Sequence, residues 1–558
     1  MDRLANDEQV DVVVPGSGAA GLAAAIAAAD AGAEVVVLER AQQLGGTTAF
    51  SGGGVWIPCN EHMADVGPSD TREEALAYVR AVVDGRTHDE RLLELFVDEG
   101  HVELARLEAT TPLELQASRT FSDYFADCPG AAPCGRTLDP VPYASRDALG
   151  AWDELIRVSP HTPRLTLDEI VEDDPDVDGA SGARALSPTL ATLDAERRRD
   201  GVRTSGEALV ATLLRGALDR GMRVVTQARV VALVHGGGAR AADAVRGVLV
   251  EAADGGPLRI GARRGVVLAT GGFEWNRELV QAFLGVPQIW PLSPPANEGD
   301  GLALGLRAGA AVANMTVAWA FPVAWDERTT YDGRAQHFLG TPRGEPGCIV
   351  VNGRGRRFVN EGVSYMDLPR THRAYDPTTH SHPNAAPAWM VFDARVRGRI
   401  TVGDLRPDGP TPSWVREAPT LAQLAEQIGV DADGLGDEVE RFNAGARRGE
   451  DPDFGRGTVW FEGFKNGGPA AERSLAPLEQ APFFAMRLYD GALGTAGGLR
   501  TDGDGRVLGM DGAPLPGLMA AGNTTASIFG PSYPAGGVTL GPALVFGARA
   551  GRAAAAGR

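Results

Sequence analysis

Three tyrosines and a set of glycine turns hold the chemistry this sequence can offer. Tyr124 stands in SDYFADCPG, Tyr365 in RFVNEGVSYMDL and Tyr533 in SYPAGGVTLGP. A phenol donates a hydrogen bond to a carbonyl oxygen or, once ionised, takes a proton; its free pKa of about 10 makes it a poor base unless its surroundings help. The glycines around Tyr533 allow two readings. They let the chain bend while the ring packs, or they bring backbone N–H groups close to a ligand that Tyr533 also touches. Uncharged phenols suit a flat apolar substrate, beside which fixed charges are expensive to desolvate.

A second constellation lies at the start of the chain. PGSGAAG places Gly16, Gly18 and Gly21, with Ser17, Ala19 and Ala20 between them, after the apolar strand Val10 to Val14 and ahead of an alanine-rich helix from about Ala20 to Ala31. A strand from Glu34 to Leu38 follows, ending at Glu39. This βαβ unit turns tightly, approaches a pyrophosphate with its backbone and aims a helix N-terminus at the phosphates, while Glu39 binds ribose hydroxyls and repels a 2′-phosphate. Pro15 removes an N–H where a strand residue normally offers one. Three further small-residue segments extend the cofactor set: Gly46, Thr47, Thr48, Ser51, Gly52 and Gly53 in LGGTTAFSGGG; Ala269, Thr270 and Gly271 in ATGGF; and, near the C-terminus, Gly522 and Asn523 in AAGNTTA with Thr539 and Leu540. With these segments the chain resembles the flavoprotein fumarate reductase and 3-ketosteroid dehydrogenase superfamily, in which they surround one FAD. No Cys or His occupies a covalent flavin attachment motif, so the FAD is expected to be non-covalent, and no metal is expected.

The resemblance sharpens to the 3-ketosteroid Δ1-dehydrogenase family through GSGAAGLAAAIAAADAG, TAFSGGGVWIP, SDY followed by Gly135-Arg136, GGFEWN, NEGVSY, GTAGGLRTD and SYPAGGVTLGPA, in that order along the chain. It implies that Tyr533 and the Gly537 N–H polarise a steroid 3-keto oxygen, that Tyr365 removes the C2 proton with help from Tyr124, and that the C1 hydride passes to FAD. Tyr124 is expected to lower the pKa of Tyr365 by hydrogen-bonding its phenolate. It also implies a 3-ketosteroid substrate and an unidentified electron acceptor, a quinone or, in vitro, a dye. Asn360 and Glu361 are expected to anchor the Tyr365 loop. The chain departs from the family where Ala535-Gly536 replaces Gly-Pro and where Ser364 precedes Tyr365 in place of proline. Two alternatives stand beside this reading: dehydrogenation at C4–C5 of a 5α-reduced 3-ketosteroid, and a flavin-holding protein with degenerate catalysis.

The elements that must position these residues follow from the rest of the sequence. At 558 residues the chain exceeds one compact core. The expected architecture is α/β: a Rossmann-like FAD-binding domain from residues 1–322 plus 490–558, with a helical and irregular insert at about 60–204, and an inserted α+β catalytic cap at 323–489. Helical periodicity runs from Asp70, the expected N-cap, to Ala109, and again from Gly206 to Arg220. MRVVTQARVVALV, VRGVLVEA and RIGARRGVVLATGG fit an antiparallel meander returning to the main sheet. Two helices, Leu421 to Ile428 and Gly434 to Arg448, close the cap. The segment 145–204 carries no readable motif. A formal charge of -20 argues against nucleic-acid or anionic-membrane partners. With no apolar run of bilayer-spanning length and four scattered cysteines, a cytoplasmic protein with reduced thiols is expected.

Overall fold

Strand β1 (Glu8–Pro15) leads through the glycine turn into helix α1 (Ala19–Asp30) and strand β2 (Val35–Leu38). The structure, a computed structural model, describes residues 4–67, 69–173, 186–236, 244–252, 256–338, 342–458 and 474–557. From Val12 to Val14 in β1 and throughout β2 the residues are apolar and buried, as parallel strands covered on both faces must be. Pro15 costs little at its position: Gly16 N–H donates to Leu38 O at 2.8 Å and Pro15 O accepts from Ala269 N at 2.9 Å, so the ladder continues around the missing donor.

The main sheet is eight-stranded. Strand β3 (Arg223–Val225) pairs parallel to β2, and β1 pairs parallel to β6 (Pro257–Leu268). Between β3 and β6 lie β4 (Ala228–His235) and β5 (Val245–Ala252), which with β6 form the expected antiparallel meander. The chain returns at its C-terminus as β7 (Pro514–Ala520), parallel to β6, and as helix α2 (Leu540–Ala555), which lies on α1. That contact is close enough that a Cβ at Gly551 would stand 2.0 Å from Ala24 O.

The stretch from Asp70 divides into two helices, Arg72–Val83 and Glu90–Thr110, because Asp84 and Gly85 take left-handed conformations between them. Its N-cap is Thr71 rather than Asp70: Thr71 Oγ1 accepts from Glu74 N–H and donates to the Glu74 carboxylate, while the Asp70 carboxylate is held by Arg136. The helix expected at Gly206 runs from Ser205 to Asp219.

A seven-stranded second sheet is organised by one long strand, Phe483–Thr495. Its first half pairs antiparallel with Ala388–Asp393 and Val415–Ala418; its second half pairs with Ala318–Tyr331 and with Trp290–Pro291. The helices Leu421–Ile428 and Ala432–Ala446 pack on this sheet through a core that includes Leu424, Leu435, Val439 and Phe442. Residues 174–185 of the motif-poor segment lie outside the described residues; the remainder forms short helices such as Leu167–Asp173 and Pro188–Asp200. Among the described residues no helix is long and apolar enough to cross a membrane.

Candidate active site

The glycine turn is built for close approach. Gly16 has φ +110°, and a Cβ there would stand 2.1 Å from Ala269 O. Ser17 ties the turn to the end of β2, its hydroxyl donating to Glu39 at 2.6 Å and its N–H to the same carboxylate oxygen at 3.2 Å; the other oxygen accepts from Ala41 N–H at 2.9 Å. Thr48 Oγ1 accepts from Ala19 N–H at 3.0 Å and so links the second expected segment to the first turn of α1.

These residues line a groove of about 120 Å³ running from Glu39 past Gly16–Ala20 to Ala269–Gly271, with Gly522, Asn523, Thr539 and Leu540 at the other end. Gly46, Thr47, Thr48 and Ser51 also face it. Three of the expected cofactor residues are placed differently. Gly21 faces neither this groove nor its neighbour and instead packs beneath the turn, where a Cβ would meet Gly16 O at 2.0 Å; Gly52 and Gly53 line the adjoining cavity. Sequence reasoning missed Asn297, whose amide donates to Thr47 Oγ1 and to Glu274, both at 2.7 Å, and Arg157, which pairs with Asp332 at 2.8 Å. A buried carboxylate at the strand end, close backbone approach at Gly16 and a helix N-terminus that lines a narrow groove fit a dinucleotide with its pyrophosphate at α1.

The adjoining cavity is larger, about 390 Å³, and shares Thr47, Ser51, Asn523, Thr539 and Leu540 with the groove. All three tyrosines face it, and all three are buried. Tyr124 and Tyr365 hydroxyls are 3.2 Å apart, and the ring centroids lie 5.5 Å (Tyr124–Tyr365), 6.0 Å (Tyr124–Tyr533) and 5.5 Å (Tyr365–Tyr533) from one another. Trp319 and Phe321 back the cluster at 5.3 Å from Tyr533 and 4.7 Å from Tyr365.

Each tyrosine loop is held from behind. Pro534 O accepts from Tyr124 N–H at 2.9 Å and from the Tyr78 hydroxyl at 2.5 Å, and Tyr78 in turn accepts from Phe125 N–H at 3.3 Å. One buried phenol thus joins the loops of Tyr124 and Tyr533. Thr137 Oγ1 donates to Gly536 O at 2.9 Å, which restrains the Ala535-Gly536 stretch despite its lost proline. Below Tyr78, Arg136 bridges Asp70 and Asp123, and Asp123 also accepts from Trp56 Nε1 at 2.9 Å. The Tyr365 loop is anchored as expected by Glu361 and Asn360: Glu361 pairs with Arg357 at 2.7 Å and Arg456 at 3.3 Å and accepts from Val350 N–H at 2.9 Å, and Asn360 accepts from Gly362 N–H at 2.9 Å. Burial pushes the Glu361 carboxyl upward, but the two guanidiniums prevail and hold it below the usual carboxylate range.

Gly537 has φ +98°, and a Cβ would fall 2.6 Å from both Gly54 O and Trp56 N, so only glycine fits. Its carbonyl accepts from Trp56 N–H at 3.2 Å, the residue lines the cavity, and its own N–H has no acceptor among the described residues. An orphan N–H and a buried phenol on one loop make a two-donor pocket for an oxygen.

The expected lowering of Tyr365 by Tyr124 is not what the geometry gives. Burial raises the Tyr365 hydroxyl well above the ordinary phenol range, and the nearby Tyr124 and Tyr533 hydroxyls raise it further, because a phenolate in this apolar cluster has only other phenols around it. Burial also raises Tyr533, with its hydrogen bonds to Tyr365 and Thr539 working in the opposite direction.

Residues 11–540 match the family described as FAD binding domain. The chain is 42% identical over 97% of its length to 4-oxocyclohexanecarboxylate 2-dehydrogenase of Sinomonas cyclohexanicum, covering 92% of that protein. It is 36% identical to 3-oxosteroid 1-dehydrogenase of Mycobacterium tuberculosis, with 97% of each chain covered. Its fold superposes on the crystal structure of 3-ketosteroid delta1-dehydrogenase from Sterolibacterium denitrificans in complex with 1,4-androstadiene-3,17-dione, with a TM-score of 0.85 at 32% identity, covering 99% of this chain and 100% of that one.

Proposed function

The chain belongs to the FAD-dependent 3-ketosteroid Δ1-dehydrogenase family, and on that premise we propose that it desaturates a six-membered ring ketone beside its carbonyl, at C1–C2 of a 3-ketosteroid. The observation that carries this reading is the convergence of Tyr124, Tyr365, Tyr533 and Gly537 on one cavity that shares part of its wall with the cofactor groove.

Gly16, Ser17 and Gly18 with the first turn of α1 would hold the FAD pyrophosphate, and Glu39 the adenosine ribose. The chemistry FAD supplies when bound is acceptance of the hydride that leaves C1. In the proposed mechanism Tyr533 Oη–H and Gly537 N–H donate to the 3-keto oxygen, which gains negative charge as the C2 proton departs. In a cavity lined mainly by aromatic and aliphatic groups, two such donors are each worth about 2.7–4 kcal/mol to the transition state. Tyr365, as the phenolate, takes the C2 proton; the electron pair left at C2 forms the C1–C2 double bond as C1–H is lost. The proton that must first leave Tyr365 can pass to the hydroxyl of Tyr124, 3.2 Å away. A raised Tyr365 pKa makes the ionised form scarce but strongly basic, which is useful against a weakly acidic C–H.

A second reading has its own support. Identity to the 4-oxocyclohexanecarboxylate dehydrogenase, at 42%, exceeds the 36% to the Mycobacterium tuberculosis steroid enzyme. A monocyclic 4-oxocyclohexanecarboxylate offers the same reacting unit, a carbonyl with adjacent CH₂ groups, so the same residues would act on it. Anaerobic titration of the FAD-loaded protein tests both. Bleaching by a 4-ene-3-ketosteroid with formation of the 1,4-diene supports the first, and bleaching only by the monocyclic acid supports the second. Bleaching by a saturated 5α-3-ketosteroid alone, with a 4-ene product, replaces both with C4–C5 chemistry.

A further inference from the structure

The cavity that holds the tyrosines has one formally charged residue in its described lining, Arg406. It stands on a tight turn whose geometry is fixed. Val402 and Leu405 exchange backbone hydrogen bonds at 3.0 and 2.9 Å, which places Thr401 and Arg406 as the next pair across the turn, side by side at the cavity wall. The buried guanidinium of Arg397 fixes the outgoing strand from behind, donating to the carbonyls of Arg406 at 2.5 Å and Gly409 at 2.8 Å. Asp404, the acid within the turn, accepts from Trp414 Nε1 at 2.7 Å. Among the described residues no carboxylate pairs with the Arg406 side chain, although this protein is rich in acid–arginine pairs. The Thr401 hydroxyl beside it is buried and has no hydrogen-bond partner. A buried orphan hydroxyl next to a solvent-exposed guanidinium that no carboxylate neutralises, both on a cavity wall with no other formal charge among its described residues, is a donor set suited to an anionic acceptor.

We propose that the Thr401–Arg406 turn receives a carboxylate at the end of the substrate remote from the reacting carbonyl, so that the protein acts on ring ketones that are also acids. This rests on the ring-ketone reading above and specifies the class of ketone. Two skeletons carry that chemistry, a monocyclic oxocyclohexane acid and a 3-ketosteroid with a carboxylate on its side chain. The two hold the carboxylate at very different distances from the reacting carbonyl, so a turn fixed in place accepts one of them and the test below tells which.

The test uses the FAD-loaded full chain and paired probes that differ only in charge. Binding is read from perturbation of the flavin spectrum by 4-hydroxybenzoate and by methyl 4-hydroxybenzoate, ring phenols that cannot be dehydrogenated. Turnover is read with 4-oxocyclohexanecarboxylate and its methyl ester, and with a 3-oxo-4-ene steroid acid and its methyl ester. The acid is expected to bind roughly tenfold more tightly than the ester, the size of one partly exposed charge-assisted contact. Arg406→Gln is expected to abolish that preference by raising KM for the acid with kcat held, Arg406→Lys to keep most of it, and Thr401→Val to lose part of it. Whichever acid turns over with the Arg406-dependent preference identifies the skeleton. Equal binding of acid and ester by the unaltered protein, or an equal loss for both in Arg406→Gln, overturns the proposal. Acid-selective, Arg406-dependent binding without flavin reduction by any ketone upholds the carboxylate site and overturns the ring-ketone reading instead; turnover of neutral ketones with no acid preference does the reverse.

Discussion

Replacing Tyr533 with phenylalanine isolates one hydroxyl. The ring is buried among Tyr124, Tyr365 and Trp319, at centroid distances of 5.3 to 6.0 Å, and phenylalanine fills the same volume, so the aromatic cluster keeps its packing. What is lost is one of the two proposed ketone donors, together with hydrogen bonds to Tyr365, which keeps Tyr124, and to Thr539. Stability should therefore fall by about 1 kcal/mol or less. The Gly537 N–H remains, set by a backbone geometry that the substitution does not touch. Loss of one donor of two in a preorganised oxygen pocket costs about 10²–10³-fold in the chemical step. The assay is the rate of flavin bleaching after anaerobic mixing with saturating ketone, with FAD content and thermal midpoint measured on the same preparation. A variant that retains FAD and bleaches within about threefold of the unaltered rate refutes the assignment of Tyr533 as ketone donor.

Tyr365→Phe should nearly abolish flavin reduction while FAD stays bound; a variant with full activity removes Tyr365 as the base. Because burial raises the Tyr365 hydroxyl above the ordinary phenol range, its basic form accumulates only as pH rises, so the rate constant for flavin reduction should climb through the alkaline range, and a profile that is flat or falling from pH ~7 to ~9 contradicts this. Linkage runs the other way for stability: Tyr78, Tyr365 and Tyr533 are held in their neutral forms by burial, so their contribution is complete below the unfolded phenol pKa of about 10 and is lost as pH rises beyond it, visible as a falling thermal midpoint. Tyr78→Phe leaves Phe125 N–H without its acceptor and frees one side of Pro534 O, so kcat should fall by about 10-fold or more with FAD retained, measured by steady-state kinetics beside cofactor content. Glu361→Ala leaves the buried Arg456 without its carboxylate and Arg357 with Asp451 alone, and should destabilise the protein by about 3–5 kcal/mol in denaturant unfolding.

What the sequence made legible was local. The βαβ turn, Glu39 and the meander are each specified within a few tens of residues by glycine spacing and strand pattern, and the chain folds there as read except that Arg223–Val225, expected in the meander, pairs parallel to β2 instead. The tyrosines were legible only through motifs, since nothing near Tyr124 in sequence points to Tyr365, 241 residues later, whose hydroxyl it meets. The Asp70 cap was misread because Asp-Thr offers two capping side chains in succession, and the choice is made by Arg136, far along the chain, which claims the aspartate. Tyr78 lies on the buried face of an amphipathic helix, and its hydroxyl acquires meaning only when Pro534, 456 positions away, is folded onto it. The motif-poor segment carries no pattern that marks His161, Pro163, Leu167 and Ile170 as cavity wall, because side chains that face a ligand and those that face a core have the same sequence pattern.

The central claim is desaturation beside a ring carbonyl. The measurement that tests it most directly is a single anaerobic turnover of the FAD-loaded protein with a 4-ene-3-ketosteroid and, separately, with 4-oxocyclohexanecarboxylate, following flavin absorbance and identifying the product by mass and NMR. The account predicts bleaching by at least one of them, with loss of two hydrogens from the carbon beside the carbonyl and its neighbour, and no bleaching in Tyr365→Phe. A protein that holds FAD yet is bleached by neither ketone would contradict it.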